Sequence, residues 1–166
     1  MALLGTGLVL STIIPRSTQR TSGPIPEDIV KDLAFSPFVI PSTNDSYKTS
    51  NYKYSSFEEK KEKINLLSYV VTTADNTVIT VNQQVLPPQF IDIPQYKEKV
   101  LSEVVNQKSA VPNANGTIYI GTAMQPKDKQ IAAMIEKGLI VLMYPSETLD
   151  EKTWRAIGDA LEVQKL

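Results

Sequence analysis

Apolar and polar positions divide the chain at Pro15. Met1 to Ile14, MALLGTGLVLSTII, carries no charge, whereas Pro15 to Pro24, PRSTQRTSGP, carries no large apolar residue. From Ile25 onward short apolar segments alternate with turn residues up to the end of the chain. The pattern predicts three parts: residues 1–14 as an apolar membrane-anchor or signal-like segment, residues 15–24 as a polar linker of tether composition, and residues 25–166 as a single domain.

Within the body, Ile25 to Phe35 predicts a short helix. Pro26, Glu27 and Asp28 suit its start, and Val30, Leu33 and Ala34 share one face. Pro37 and Pro41 confine Phe38 to Ile40 to a sheet edge or an irregular segment. Tyr52 and Tyr54 alternate with Lys53 and Ser55, which predicts a strand over Tyr47 to Phe57 with its tyrosines inward. Glu58 to Lys63 is a solvated run that ends this strand or caps a hairpin.

Ile64 to Thr73 and Thr77 to Val85 form a hairpin about Ala74, Asp75 and Asn76. Pro87 and Pro88 break the sheet, and Tyr96, Val100 and Val104 recur at helical spacing, with Leu101 beside them, over Gln95 to Gln107. The Asn115–Gly116 turn leads into a strand over Thr117 to Thr122, where Ile118 and Ile120 face one way and Tyr119 the other. Gln130 to Ile135 and Leu139 to Tyr144 are further apolar segments on either side of Lys137 and Gly138. Pro145 stops the last strand, Ser146 or Thr148 caps, and Leu149, Trp154, Ile157 and Leu161 mark the inward face of a closing helix, with Trp154 as a core anchor. The expected fold class is α+β, an antiparallel β-sheet with helices packed on it, plus the apolar N-terminal segment.

As a helix, residues 1–14 would extend about 21 Å, short of the roughly 30 Å of a bilayer's hydrocarbon core. A secretory signal fits that length but begins with a basic residue, and none precedes Arg16. The segment therefore suits a signal, part of a longer transmembrane helix, or a buried element of the domain, and Gly5 and Gly7 weaken a soluble helix. Arg16 and Arg20 on its flank favour the cytoplasmic side, a weak constraint with only two charges.

Charge narrows the partners. Lys and Arg number 17 against 18 Asp and Glu, so no large field of one sign is available to gather nucleic acid. The chain has neither Cys nor His, which removes disulfides, thiolate nucleophiles, an acylated cysteine and the commonest general base and metal ligand. The expectation is a protein that is not an enzyme, with no cofactor and no metal.

Four clusters bear on chemistry. Ser50 and Lys53 match a Ser-x-x-Lys nucleophile, whose amine reaches the hydroxyl across a helical turn, but the surrounding pattern predicts a loop entering a strand. Glu58, Glu59 and Glu62 could act as acid and base or hold a divalent cation, yet interleaved with Lys60, Lys61 and Lys63 they make a self-neutralised surface. Tyr47, Lys48, Tyr52, Lys53 and Tyr54 mix aromatic and basic residues as single-strand nucleic-acid binders do, and a strand with inward tyrosines explains the same pattern. Asn44 to Ser46 and Asn115 to Thr117 are glycosylation triplets too short to carry weight. The glycines form no phosphate cradle. No residue is assigned as catalytic, cofactor-binding or metal-ligating.

The hairpin LLSYVVTTADNTVITVNQQ, the helix after it, NGTIYIG, LIVLMYP and TLDEKTWRAIGDAL follow one another in an order that resembles small bacterial extracytoplasmic domains of unknown function, found on anchored lipoproteins and anti-sigma factors. The resemblance covers Tyr47 to Leu161 through the order of elements and turns. It implies location and architecture and no catalytic residues. Lacking a cysteine to acylate, the chain departs from the lipoproteins, which points to a transmembrane helix as anchor. The expected function is a non-catalytic, membrane-anchored extracytoplasmic domain, at the cell surface or in the periplasm, with a binding or structural role in the cell envelope. Its expected partners are the membrane, through the N-terminal segment, and an envelope protein or polymer. The alternatives are an extracytoplasmic carrier of an apolar ligand and a hydrolase without His or Cys.

Overall fold

Among the described residues seven extended stretches pair into one sheet, several of them with apolar side chains on alternate positions. In a computed structural model, residues 24–59, 62–86, 93–124 and 128–166 are described. Residues 1–14 and most of the linker lie outside them, as do Lys60, Lys61, Pro87 and Pro88. The sheet strands are β2 (Tyr47–Glu59), β3 (Glu62–Thr73), β4 (Val78–Val85), β5 (Val105–Asn113), β6 (Gly116–Ala123), β7 (Gln130–Glu136) and β8 (Leu139–Pro145). Their order is β2-β3-β4-β8-β7-β6-β5, and every neighbouring pair is antiparallel. Two meanders, β2–β4 and β5–β8, are thus joined side by side where β4 meets β8, from Ile79 opposite Pro145 to Val85 opposite Leu139.

The alternation sorts the side chains onto two faces. Leu67, Tyr69, Val71, Ile79, Val81, Ile118, Met134, Val141 and Met143 are buried on the first. Over them lie the segments flanking α1 (Glu27–Asp32), a two-stranded ribbon of β1 (Phe38–Val39) with β9 (Glu162–Val163), and α3 (Glu151–Ala160). On the second face Ala123, Ile131, Ala133, Ile135 and Ile140 pack under Leu101 of α2 (Pro94–Val104). This is the expected antiparallel sheet with helices on it, and Ile118, Ile120 and Tyr119 divide between the faces as their spacing predicts.

The ribbon is held by a side chain. Gln83, at an inward position of β4, is fully buried. Its Oε1 accepts from the Phe38 backbone N–H at 2.9 Å and its Nε2 donates to the Phe38 carbonyl, which also accepts from Tyr69 Oη at 3.0 Å. The amide stands in for the neighbouring strand that Phe38 lacks on that side. Gln130 repeats the device: its Nε2 donates to the Leu149 carbonyl at 2.8 Å, and its Oε1 accepts from Leu149 N–H at 2.9 Å and from Trp154 Nε1 at 3.2 Å. Trp154 is fully buried and anchors the core as expected.

α3 is closed at both ends. Asp150 accepts from Thr153 N–H at 2.7 Å, while Asn115 Nδ2 donates to the Gly158 and Leu161 carbonyls at 2.9 and 2.6 Å. Gly158 lets the helix lie against the sheet, because a Cβ there would meet Asn113 Cγ at 2.7 Å and Ile118 Cδ1 at 2.8 Å.

Five expectations are corrected. The first helix is only six residues, Glu27–Asp32, none of them buried; Leu33 packs from an extended C-cap position instead, and Ala34 is exposed. The second helix ends at Val104, not Gln107, since the β-branched pair Val104–Val105 passes straight into β5. No strand is expected there; β5 carries Pro112 and is an edge strand, where a residue without N–H is tolerated. The cap of α3 is Asp150 rather than Ser146 or Thr148, and Ser146 Oγ accepts from Val78 N–H at 3.1 Å. Pro145 does not end the last strand of the chain, since β9 follows α3 and pairs with β1.

Replacing Gln83 with Met keeps the volume and leaves the buried Phe38 N–H without its partner, while the Phe38 carbonyl keeps the Tyr69 hydroxyl. Gln83→Met is expected to lower the unfolding free energy by about 1–3 kcal/mol in urea denaturation. An unchanged midpoint would show that the ribbon is held by its apolar side chains alone.

Candidate functional site

The residues singled out by chemistry are distributed over both faces of β2. A bulge between Ser50 and Lys53 inserts one extra residue, with Asn51 in the left-handed region at φ 56°. Ser50 and Lys53 therefore lie opposite Val70 and Ser68 and share the second face. They sit two strand positions apart, roughly 7 Å along the ladder, rather than across a helical turn, and both are exposed.

Tyr47, Tyr52 and Tyr54 pack against the first-face core, away from Lys53. Tyr52 stacks on Tyr69 with ring centres 5.1 Å apart and planes at 20°, and Tyr54 Oη donates to Asn65 Oδ1 at 2.9 Å. The aromatic and basic residues are thus split between opposite faces and form no stacking platform. Glu58 lies opposite Lys63, both exposed, where β2 and β3 meet as a hairpin. Among the described residues no three acidic side chains converge on a position that could hold a metal ion. The amide of Asn115, in the second glycosylation triplet, is already committed to the end of α3.

Burial sets the protonation of the tyrosines. It pushes the Tyr52 phenol up to about 12, against the opposing influence of the nearby Thr49 side chain. The Tyr52 hydroxyl is itself buried and makes no well-formed hydrogen bond. Tyr69 is raised further by burial and then by Tyr52, with Gln83 acting the other way, and Tyr47 and Tyr144 are raised by burial. Asp75 is lowered first by the Thr73 hydroxyl, and Asp150 by its hydrogen bonds from Thr153. Asp75 and Asp150 thus answer to partners that shape a turn and a cap, and the tyrosines first of all to their burial.

What remains for recognition is the second face. Beside the last turn of α2, Glu103, Val104, Met124 and Tyr144 line a shallow depression of about 290 Å³. From there toward β2 the face becomes mixed: Thr80, Asn82 and Gln84 of β4 lie beside Val70, Ser68 and Leu66 of β3, which in turn face Ser50, Lys53 and Ser55 of β2. Ser68 Oγ donates to Asn82 Oδ1 at 2.7 Å, and Lys48 and Lys53 of β2 add two basic residues to this face. Such a surface can offer hydrogen bonds to an extended partner, with Tyr144 at one end and Phe57, 46 % exposed, at the other. It is invisible as a motif, being spread over four strands that meet only in the folded sheet.

Among the described residues no helix is long and apolar enough to cross a membrane. Comparison with family models, curated proteins and solved structures finds no match to the chain.

The tyrosines generate a pH dependence. A fold that favours the neutral phenol is undermined once the unfolded chain can ionise, so this contribution is complete below pH 10 and is lost as pH rises through about 12. Absorbance at 295 nm should show some of the seven tyrosines ionising only together with loss of near-ultraviolet dichroism. A smooth titration of all seven near pH 10, with dichroism unchanged, would contradict the burial of Tyr52 and Tyr69.

Proposed function

We propose that this chain is a non-catalytic extracytoplasmic domain, held to a membrane by residues 1–14, with a binding or structural role in the cell envelope. The observation that carries the reading is the abrupt division of the sequence: an uncharged apolar run, a linker without large apolar residues, and then Ile25, which is buried in the core of the folded body. An anchor, a tether and a domain follow one another in that order. The binding surface is the mixed strip of the second face, where Ser50, Ser68, Asn82 and Gln84 lie among Leu66, Val70 and Lys53, and an extended envelope protein or polymer is the partner it suits.

A second reading is supported by the buried set beneath α2, which is wholly aliphatic: Leu86, Leu101, Val105, Ala123, Ile131, Ala133, Ile135 and Ile140. On this reading the protein carries an apolar ligand at that face. On the first face Trp154, Tyr69 and Phe38 fill the space between the sheet and its cover, leaving α2 as the place for such a ligand.

Protease added to intact cells producing the natural protein discriminates between compartments. Digestion of the domain from outside, with the N-terminal segment staying in the membrane fraction, is the expected result. Full protection together with recovery in the soluble cytosolic fraction would make residues 1–14 part of a folded core and overturn the reading. A stoichiometric lipid in an organic extract of the purified protein would favour the carrier.

A further inference from the structure

Lys48 and Lys53 share the second face only because β2 is bulged. They are five residues apart, and a regular strand would point them to opposite faces. The extra residue at Asn51, held at φ 56°, resets the alternation. Lys48 then lies opposite Thr72 and Lys53 opposite Ser68, positions of one parity on β3 and about 13 Å apart along it. Both lysines are exposed, and among the described residues neither takes part in an ion pair.

Their surroundings hold no counter-charge. Residues 48–55, 66–72 and 78–84, the stretches of β2, β3 and β4 that lie side by side here, contain no acidic residue. One row runs straight across them, with Lys53 opposite Ser68 and Ser68 opposite Asn82. Because Ser68 Oγ donates to Asn82 Oδ1, the acceptor of that amide is used and its Nδ2 is left as a donor. Lys53 and Asn82 thus flank Ser68 on strands about 5 Å to either side. Val70 and Leu66 stand before and after Ser68 on the same face, half-buried. The backbone groups of β3 and β4 are taken up by ladders on both sides, so a ligand here meets side chains only.

We infer that this strip holds an anionic polysaccharide, whose acidic groups accept from Lys48, Lys53 and the Asn82 amide while its sugar rings lie over Val70 and Leu66. Unpaired cationic donors without a carboxylate among them are complementary to an acceptor-rich, negatively charged ligand. A peptide held through its backbone needs a free strand edge, which the middle of a sheet face does not offer. Pyranose rings present flat C–H faces to small apolar side chains and hydroxyls to Ser, Thr and amide groups. The inference rests on the reading of the second face as the binding surface and names the chemistry of the polymer.

Titration of the full, isotope-labelled chain with polygalacturonate, a linear carboxylated polysaccharide, tests it by NMR at low salt. Shifts should concentrate at residues 48–55, Ser68 and Asn82, the side-chain amide of Asn82 included. Methyl-esterified polygalacturonate, the same chain without its charge, should bind at least about tenfold more weakly. Lys48→Gln combined with Lys53→Gln should lower affinity for the acid form at least about tenfold, and Asn82→Asp should lower it with both lysines in place. Lys152→Gln combined with Lys165→Gln, the same change of charge on exposed residues in and after α3, should leave it unchanged. Equal losses from the two double variants, or equal binding of polyglutamate, would show attraction to charge alone and overturn the inference. Equal binding of the esterified chain on the same row would overturn the anion and keep the surface. Absence of shifts on this face would overturn both, leaving the compartment to the protease experiment.

Discussion

The first-face cover depends on one amide. β1 has only two residues and pairs with an equally short β9, a ladder too small to hold itself in place. Gln83 completes it by bonding both backbone groups of Phe38, and Tyr69 adds a third bond to the same carbonyl. The benefit is conditional, because a glutamine in that position without Phe38 would be a buried, unsatisfied polar group beside Val81 and Tyr69. Sheet and ribbon are therefore mutually required, and the register of β4 against β8 is fixed in part by where Gln83 must stand.

The same logic links the two halves of the sheet. β4 and β8 are adjacent in space but separated in sequence by α2 and three strands, so their pairing closes a long loop before it gains anything. Gln130 of β7 and Asn115 beside β6 then fasten α3 across the second meander. Short polar side chains at strand positions do what long connections cannot, which is to orient a helix on a particular row of the sheet.

Much of the fold is legible because it is local. The hairpin about Asp75, the divided faces of Ile118 and Tyr119, and the inward stripe of Trp154, Ile157 and Leu161 each follow from periodicity within one segment. The elements that escape are set by distant partners. β5 contains a proline and is acceptable only because it becomes an edge; β9 exists only because β1 lies beside it; and Leu33 is buried by a turn after its helix has ended. Gln83 could have been flagged, since it occupies the same alternating position as Ile79 and Val81, and a polar residue there demands a partner. The identity of that partner, 45 residues away, has no local signal. The polar strip of the second face is harder still, as its members look like ordinary outward strand residues until β2, β3 and β4 align them.

The bulge at Asn51 has a consequence for how these molecules tolerate one another. β2 is a 13-residue strand on the rim of the sheet, and an uninterrupted rim of that length is a template on which a second copy can lengthen the sheet indefinitely. The inserted residue breaks the row of donors and acceptors near its middle, and Lys48 and Lys53 place a charge on either side of the break. Two such rims that meet edge to edge find their donors and acceptors out of step at the break, which works against their growth into fibrils.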